Sequence, residues 1–400
     1  MNLLISSYSF GAHRGSEAGV GWNVARGLAL RGHQVTVLTT SEFAGMNRAA
    51  LEQEQLAIRI IEKDFGITQF NSSWSYRRWQ KKIVTTIQEE TRSHQYDLIH
   101  HITFNQYRGI CDVFAADIPY IIGPIGGAEL IPHPLLRYGN LSLGKRLKEL
   151  ARYFSYDAQP LVRNCRSHKA KGKILVSNRP TALRLAQFSQ PSEICPAIAI
   201  HEHEINSSLS RQTHTDPYIL FDGGLVRSQK GTWLALRALR QLWQTGTHIP
   251  LRIVGIQPSD NARVTQYAKK LGLPAESLQL LPRVSREAML QFMQNATIML
   301  SATYRDSGSM ALLEALSKGC KIVCLDIPSQ EWLPDEFARK VPICPSSREM
   351  ELAIANTLRE EISAPPHSPE WHQNRVQWLT RNMTWDVRLD AFEEHYRAIL

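Results

Sequence analysis

Short apolar segments alternate with longer helical segments along most of this 400-residue chain. Because strands that are separated by helices pair in parallel β-α-β units, this alternation restricts the fold to the α/β class. In the first half it predicts strands at 2–7, 34–39, 97–101, 119–123 and 173–176, and helices near 17–31, 72–93 and 144–166.

The alternation is interrupted between about 192 and 216 and then begins again. It predicts strands at 217–222, 250–254, 277–281, 297–301 and 321–325, and helices at 230–245, 261–271, 285–295 and 309–318. Since a domain usually holds roughly 100–200 residues, we predict two doubly wound, Rossmann-like parallel-sheet domains. They comprise residues 1–200 and 217–384, joined by a linker at 201–216. Ligands of such sheets bind at the carboxyl ends of the strands, so two facing domains would share a cleft.

The segment 385–400 follows the second predicted domain and carries apolar side chains at helical spacing. This spacing predicts a C-terminal helix with one apolar face. Such a face allows the helix to pack back on the first domain.

The formal net charge of +9 lies in the first half of the chain. Residues 1–200 hold 24 basic and 15 acidic side chains, whereas residues 201–400 hold 22 of each. Such an excess favours an anionic partner, namely a phosphate-bearing substrate, an acidic membrane surface or nucleic acid. No zinc finger or RNA-binding aromatic signature accompanies the charge, so we expect no nucleic-acid partner.

The beginning of the chain and its cysteines both indicate the cytoplasm. The first residues lack a basic region and are typical of a strand rather than a signal peptide. No stretch approaches the roughly 18 apolar residues of a membrane-spanning helix. Six cysteines are scattered without a Cys-x-x-Cys pair, which favours buried thiols in a reducing compartment over zinc ligands or disulfides.

The segment 305–319 carries two carboxylates around a strand-to-helix transition. The backbone N–H groups at such a transition can receive a diphosphate. Here they belong to Ser307, Gly308, Ser309 and Met310. Glu314 lies about two helical turns after Asp306, which directs both carboxylates towards the same region. The alternative is that Asp306 or Ser307 is a helix N-cap and that Glu314 is solvated.

The spacing from Asp306 to Glu314 resembles the acid-x7-acid signature of glycosyltransferase family 4. The resemblance implies a metal-independent, retaining transferase of the GT-B fold, of the bacterial surface-polysaccharide type, with a nucleotide-sugar as donor. It also implies that Asp306 positions the sugar. Of the two carboxylates, one could approach the sugar and one the ribose. The family more usually begins this signature with Glu, so Asp306 is shorter by one methylene group.

Two glycine-bearing loops in the first half extend this resemblance. Residues 15–23 resemble the loop that follows the first strand in such enzymes, where the chain passes close to the sugar and the acceptor. Residues 123–129 resemble a further active-site loop of a bacterial subgroup. The residues implied are Gly15 on the donor side and Ser16, Glu17, Gly126 and Gly127 on the acceptor side.

Two adjacent histidines end the strand predicted at 97–101. A histidine at a strand end is more often a packing residue than a catalyst. Residues 97–105 resemble the strand-end histidine motif of the family, however, which implies that His101 faces the sugar and that His100 supports it. The adjacency of the two leaves their assignment open.

The loop 221–231 resembles the Gly-Arg-Leu…Lys-Gly loop of the family, whose cations neutralise the leaving diphosphate. Lys230 matches this pattern, and Gly223 begins it. Gly224 stands where the family has Arg, and Arg227 can take the place of that cation. The implied mechanism is a front-face substitution in which the diphosphate, held by Lys230, accepts the proton of the acceptor.

Arg283 and Val284 follow a predicted strand at a position where family members hold the nucleotide base. The segment 201–204, His-Glu-His-Glu, raises the possibility of a metal site, but two histidines of an extended strand share only one face. No Asp-x-Asp motif supports a metal-held donor. We therefore expect no metal cofactor, with a nucleotide-sugar as the co-substrate.

Basic and aromatic residues interleave at 74–82 and again around 145–173. Helices of this composition bind anionic membrane surfaces, or they are solvated basic helices with their aromatic side chains in the core. The acceptor that the resemblance implies is a glycan or a polyprenyl-diphosphate-linked sugar. A lipid-linked acceptor would favour a peripheral location on the inner face of the plasma membrane.

Two other functions compete with glycosyl transfer. A sugar-nucleotide epimerase can share the two-domain plan, but the 306–314 signature argues against it. A degenerate, non-catalytic sugar-nucleotide-binding partner of another transferase is suggested by Gly224 and by the shortened carboxylate at Asp306.

Overall fold

The computed structural model describes residues 1–70, 72–104, 106–107, 113–154, 171–187, 192–208, 216–221, 223 and 229–400. The chain forms two compact units. Unit 1 comprises residues 1–128, 158–199 and 383–400, and unit 2 comprises residues 129–157 and 200–382.

Unit 1 is built on a seven-stranded parallel sheet. Its strands are β1 (Asn2–Ser6), β2 (Gln34–Thr39), β3 (Ile58–Glu62), β4 (Leu98–His101), β5 (Tyr120–Ile125), β6 (Gly172–Val176) and β7 (Glu193–Ile194). They pair in the order β3-β2-β1-β4-β5-β6-β7.

Unit 2 contains a six-stranded parallel sheet. Its strands are β8 (Ile219–Phe221), β9 (Leu251–Val254), β10 (Leu278–Leu281), β11 (Ile298–Ser301), β12 (Lys321–Leu325) and β13 (Arg339–Val341). They pair in the order β10-β9-β8-β11-β12-β13. The chain thus contains two sheets of parallel strands connected by helices, which confirms the predicted α/β fold class.

Helices connect the strands in both units. In chain order they are α1 (Ser16–Leu30), α2 (Ala44–Glu54), α3 (Ser73–Ser93), α4 (His133–Tyr138), α5 (Leu143–Phe154), α6 (Arg179–Ala186), α7 (Thr232–Gln244), α8 (Pro258–Lys270), α9 (Arg286–Asn295), α10 (Met310–Ser317), α11 (Ser347–Ser363), α12 (Pro369–Asn382) and α13 (Trp385–Ile399). None of the helices that the structure describes is long and apolar enough to cross a membrane.

Two edge strands, β3 and β13, are among the elements that the sequence pattern misses. β3 and β13 lie at the outer edges of their sheets. Charged residues interrupt their apolar runs, as Arg59 does in β3 and Arg339 and Lys340 do in β13. Such charges protect an edge from pairing with another chain. The same charges remove the continuous apolar run by which a buried strand is predicted.

Alternate side chains of β1 enter two different cores in unit 1. Leu3 and Ile5 pack with apolar residues of α1 and α13. Leu4 faces the other side and packs with apolar residues of α3. Because successive side chains of a strand point to opposite faces, both faces of the sheet are covered.

Helix α13 is part of the core of unit 1. Gly27 allows it to approach α1 closely, since a Cβ atom at this position would lie 2.2 Å from Leu389 Cδ1. Phe392 and Tyr396 are fully buried in the same cluster as Leu3. The apolar face of the C-terminal helix is therefore buried against α1 and the sheet of unit 1.

The segment 129–157 packs in unit 2, whereas the predicted first domain runs to residue 200. Leu135 and Leu136 of α4 are buried in the same cluster as Phe221 of β8. Tyr138 Oη donates a hydrogen bond of 2.7 Å to the carbonyl oxygen of Cys344. The sequence can show that a helix of this segment is amphipathic. It does not show whether the helix covers the sheet of unit 1 or that of unit 2.

We expect Phe392→Ala to lower the free energy of unfolding by about 3–5 kcal/mol, because it leaves a cavity in a closed core. Urea denaturation followed by far-ultraviolet circular dichroism measures this loss. Leu400→Ala, at the exposed end of the same segment, is the control and should change stability by less than about 0.5 kcal/mol. A Phe392→Ala variant as stable as the unmodified protein would contradict the docking of α13.

Candidate active site

The centre of the sheet in unit 2 brings two loops to the same edge. β8 pairs in parallel with β11, with Phe221 opposite Leu300. The strand order reverses at this pair, since β9 and β10 lie on one side of it and β12 and β13 on the other. Ligands of open parallel sheets bind at such a reversal.

A backbone hydrogen bond joins the two loops beside Lys230. The N–H group of Tyr304 donates to the carbonyl oxygen of Gln229 at 2.8 Å. On the other side of Lys230, Gly231 has a φ of 76°, and a Cβ atom there would lie 2.1 Å from the carbonyl oxygen of Ala302. The backbone on both sides of the half-buried Lys230 is thus fixed against the loop after β11.

Gly223, at the start of the Lys230 loop, is held against α7. The carbonyl oxygen of Gly223 accepts a hydrogen bond of 3.1 Å from Thr232 Oγ1, which ties the start of the loop to α7. Gly224 and Arg227 lie outside the described residues. The substitution of Arg227 for the cation missing at Gly224 stays a prediction.

The side chain of Asp306 folds back on the backbone of the two residues that follow it. Its Oδ1 accepts hydrogen bonds from the N–H groups of Ser307 at 2.8 Å and Gly308 at 3.4 Å. The hydroxyl of Ser309 caps α10, whose first residue is Met310. Two of the N–H groups predicted to receive a diphosphate therefore converge on a carboxylate of the chain itself.

Residues of the segment 129–157 hold the flank of this loop. Ser307 Oγ donates to Glu129 Oε2 at 3.2 Å, and Glu129 is buried. Tyr304 Oη donates to the carbonyl oxygen of Gly139 at 3.0 Å. The 123–129 motif ends at Glu129, but its spacing gives no sign of a contact with Ser307.

Glu314 lies at the end of a chain of ion pairs. Arg286 Nε donates to Glu314 Oε1 at 2.9 Å, and the same guanidinium group forms an ion pair with Glu204. Both carboxylate side chains are 11% exposed. Lys318 Nζ donates to the carbonyl oxygen of Glu204 at 2.6 Å. Arg286 therefore holds the carboxylate of Glu314 in one orientation, and the second ion pair, with Glu204, fixes Arg286 in turn.

The pairing of Glu204 with Arg286 favours the charged form of both groups, although burial opposes it. Burial alone would raise the pKa of Glu204, but the hydrogen bond and charge of Arg286 outweigh it and lower that pKa. Burial likewise opposes the charge of Arg286, and its two carboxylate partners nonetheless raise its pKa. No sequence signal identifies Arg286, because an arginine in the first turn of a helix is usually solvated.

Arg283 and Val284 lie in the loop that follows β10. β10 is the outermost strand on its side of the sheet, two positions from β8. Arg283 is exposed and Val284 is half-buried. Both residues thus lie at the carboxyl edge of the sheet, and their contact with a nucleotide base stays a prediction.

His101 lies at the corresponding reversal in unit 1, where β1 pairs with β4 and Ser6 lies opposite His101. Its Nδ1 is 3.0 Å from Ser6 Oγ, and its Nε2 is 3.1 Å from Tyr76 Oη. Burial, with a smaller effect of His100, lowers the pKa of His101 to about 3, so the imidazole is neutral at physiological pH. Because protein groups contact both ring nitrogens, a direct bond to a sugar requires an exchange of one of them.

His100 points to the opposite side of the sheet. Its Nε2 is 2.9 Å from the carbonyl oxygen of Gly123 and therefore donates the proton, so that Nδ1 accepts the hydrogen bond of 2.7 Å from Tyr396 Oη. Burial lowers the pKa of His100 to about 4. His100 thus connects β4 to α13.

The first turn of α1 lies beside the end of β4. Gly15 is the N-cap residue, makes no side-chain cap, and would have no atom within 4 Å of an added Cβ. Glu17 Oε2 accepts a hydrogen bond of 3.1 Å from the N–H group of Phe104. The structure therefore brings Glu17 to the histidine-bearing strand end. The side chain of Ser16 lies outside the described part of the chain.

Gly126 and Gly127 follow β5, the neighbour of β4. The carbonyl oxygen of Gly126 accepts a hydrogen bond of 3.1 Å from the N–H group of Tyr107. Gly127 has a φ of 90°, a conformation that favours glycine. These glycines shape the loop next to the histidines, and their contact with an acceptor stays a prediction.

Within the described ranges, no three His, Cys, Asp or Glu side chains converge as a metal site would require. The rings of His201 and His203 stack with centroids 5.3 Å apart. Glu204 Oε2 accepts a hydrogen bond of 3.0 Å from the N–H group of His201.

The two buried histidines should make the stability of unit 1 dependent on pH. Their pKa values in the folded chain lie below the ordinary value of 6.5, so the unfolded state binds more protons below that pH. We expect the free energy of unfolding to fall as the pH drops from 6.5 towards 4, by about 1.4 kcal/mol per pH unit for each histidine. Urea denaturation over this range measures the slope.

The free energy of unfolding of His100→Gln should change less steeply with pH, because this variant lacks one of the two buried histidines. His248→Gln, at an exposed histidine of unit 2, is the control and should leave the slope unchanged. An unaltered slope in His100→Gln would contradict the neutral, buried state of this imidazole.

Comparisons with known proteins agree with this geometry. Residues 204–359 match the family model described as "Glycosyl transferases group 1". This range includes Lys230, Asp306, Glu314 and Arg286. A search of curated protein sequences finds no match for the chain.

Three solved structures illustrate the fold. A glycosyltransferase from Rickettsia africae has 15% sequence identity and a TM-score of 0.67, over 100% of this chain and 98% of that chain. Sucrose-phosphate synthase from Thermosynechococcus elongatus has 13% identity and a TM-score of 0.66, over 99% and 98%. HepE from Anabaena, in complex with UDP-glucose, has 13% identity and a TM-score of 0.58, over 100% of both chains. At these identities the likeness concerns the fold, which is the GT-B type.

The family match and the site geometry fall in the same part of the chain. Unit 2 contains the matched residues, and its central strand reversal positions Lys230 beside the loop that carries Asp306. Residues 204–359 are therefore similar to a glycosyl transferases group 1 domain, and they lie in unit 2 of a two-unit α/β fold.

Proposed function

We propose that the chain is a retaining glycosyltransferase that moves a sugar from a nucleotide-sugar to a glycan or a lipid-linked acceptor. The observation that carries this proposal is the junction of the Lys230 loop with the 302–309 loop, inside the group 1 domain. A cation and a set of convergent N–H groups are the two devices that stabilise a leaving diphosphate without proton transfer from the protein.

On the donor side, the loop after β11 supplies the anion-binding groups. The N–H groups of Ser307 and Gly308 already hold one anionic group, the carboxylate of Asp306. A diphosphate that binds them exchanges one anion for another, which leaves Asp306 to turn towards the sugar. Lys230 then offsets the charge that develops on the leaving group.

In unit 1, Glu17 and His101 are the polar groups to which we assign contact with the acceptor or its support. His101 is neutral and bonded to Ser6 and Tyr76, so it does not act as a general base at physiological pH. We assign it a positioning role through these two hydroxyl groups. The acceptor's proton passes instead to the leaving diphosphate on the same face of the sugar, which retains the anomeric configuration.

The base and the pathway are inferred from similar proteins. HepE, whose fold this chain shares, is known in complex with UDP-glucose, which makes UDP-sugars the first donors to test. We place the reaction in the synthesis of bacterial surface polysaccharide, as a cytoplasmic protein peripheral to the membrane.

We expect one series among UDP-, GDP- and ADP-sugars to stabilise the protein in the presence of EDTA. A ligand at 100 times its dissociation constant adds about 2.7 kcal/mol to the folded state. Thermal denaturation measures the shift. Lys230→Ala and Glu314→Ala should abolish it, whereas Lys270→Ala, at an exposed position of α8, should retain it.

The outcomes of this experiment separate the competing functions. A shift followed by transfer to an acceptor with retained anomeric configuration, read by proton NMR, supports the proposal. Stabilisation without transfer indicates a degenerate partner, and conversion of the donor without an acceptor indicates an epimerase. The absence of any shift with all three series would contradict a donor site at Lys230 and Glu314.

We expect Arg286→Met to raise the donor KM by about tenfold or more with a smaller change in kcat. Without Arg286, the carboxylates of Glu204 and Glu314 repel each other and the pKa of Glu204 is no longer lowered, so the defect should deepen as the pH falls. Steady-state kinetics over a pH range measures both effects. Arg286→Lys, which keeps the charge, should recover part of the affinity.

A double-mutant cycle tests whether Arg286 acts through Glu314. Arg286→Met should add little to the KM of Glu314→Gln, because both substitutions remove the same oriented carboxylate. Arg381→Met, at an exposed arginine of α12, is the control. Fully additive effects of Arg286→Met and Glu314→Gln would refute this coupling.

A further inference from the structure

Helix α5 has one face in the core of unit 2 and an adjacent face in solvent. Leu150 and Tyr153 pack against the core cluster of unit 2, and Tyr153 Oη donates to the carbonyl oxygen of Ile131. Glu149 is buried beside them and forms ion pairs with Arg152 and Arg305. These contacts anchor α5 to unit 2, so the exposed face of the helix has a fixed orientation on this unit.

The outward face carries a stripe of apolar side chains. Leu143 is 73% exposed, Leu147 is 56% exposed and Phe154 is 86% exposed. These residues are spaced by four and seven positions, so they lie on one side of an α-helix. A contiguous exposed stripe differs from the single exposed apolar residues that are normal on a protein surface.

Basic side chains flank this stripe. Lys145, Arg146 and Lys148 lie in the first turns of α5, and Arg146 and Lys148 are exposed. Burial and the charge of Lys148 lower the pKa of Lys145, which shows that these cations are crowded. The one acidic residue of the helix, Glu149, is buried and paired. The exposed face of α5 is thus apolar and cationic, without an opposing charge.

The segment 74–82, in which basic and aromatic residues also interleave, lacks such a face. In α3, Tyr76 and Trp79 are buried in the core of unit 1. Trp74 is exposed, but the guanidinium group of Arg78 lies over its ring at 5.4 Å. The aromatic side chains of this segment therefore belong mainly to the core, as the second of the two sequence interpretations has it.

We propose that α5 is a membrane-docking helix that lies in the surface of an anionic bilayer with Leu143, Leu147 and Phe154 inserted. The apolar stripe enters the boundary between headgroups and acyl chains, and the cations contact the anionic headgroups. Three side chains on one helix offer far less than the roughly 800 Å² per partner of a standard protein interface, which disfavours a second copy of the chain as the occupant. This proposal rests on the peripheral location in the proposed function and adds the surface of the protein that contacts the membrane.

Co-sedimentation of the whole protein with lipid vesicles tests this assignment without any donor or acceptor. We expect binding to vesicles that contain phosphatidylglycerol and much weaker binding to pure phosphatidylcholine. Leu147→Ser with Phe154→Ser should reduce the partition coefficient by at least about tenfold. Arg146→Gln with Lys148→Gln should reduce it by about fivefold or more per cation.

Matched controls come from exposed apolar residues elsewhere. Leu183→Ser on α6, at 57% exposure, corresponds to Leu147→Ser, and Trp74→Ser on α3, at 66% exposure, corresponds to Phe154→Ser. Both controls should bind vesicles as the unmodified protein does. All these positions are exposed, so thermal denaturation should show that each variant is folded.

Three results would overturn the proposal. They are equal binding to neutral and anionic vesicles, undiminished binding of the α5 variants, and an oligomer that Phe154→Ser dissociates in a protein that does not bind vesicles. The last would assign the stripe to a second copy of the chain. The donor-induced thermal shift is measured without lipid, so failure of the vesicle experiment and failure of the proposed donor site are distinguishable.

Discussion

Parallel pairing at the centre of each sheet is the constraint on which the candidate site depends. It puts Ser6 opposite His101 in unit 1 and Phe221 opposite Leu300 in unit 2, so that loops distant in sequence begin at neighbouring points. A slip of one residue would turn every side chain of a strand to the other face of its sheet. The strands at both reversals are covered on two faces, and their buried side chains therefore fix the register that the site requires.

The buried or half-buried charges around Glu314 and Asp306 have partners within unit 2 itself. Arg286 lies between Glu204 and Glu314, and Asp306 accepts hydrogen bonds from two N–H groups of its own loop. An unpaired charge in a buried position costs several kcal/mol, so each of these groups requires its partner. The same pairing fixes the direction of the side chains. A polar environment that is oriented in advance is also what stabilises a developing charge in catalysis.

The sequence predicts the central strands of both sheets and suggests the chemistry of the loops, but it does not predict the contacts between them. Central strands such as β11 are continuous apolar runs and can be predicted, whereas the charged edge strand β13 cannot. Lys230, Asp306 and Glu314 stand out by motif and spacing. Arg286 lies 28 residues from Glu314, and Glu129 lies 178 residues from Ser307. No local period relates such pairs, because tertiary packing alone brings them together.

Helix α13 completes a core whose other members are near the start of the chain. Leu389 and Phe392 pack with Leu3 and Ile5, and Tyr396 donates to His100. A ribosome releases the helix only after the whole of unit 2 has been synthesised. During translation, the apolar face of unit 1 that α13 covers therefore stays exposed until all of unit 2 has been made, although unit 1 is the first to be started.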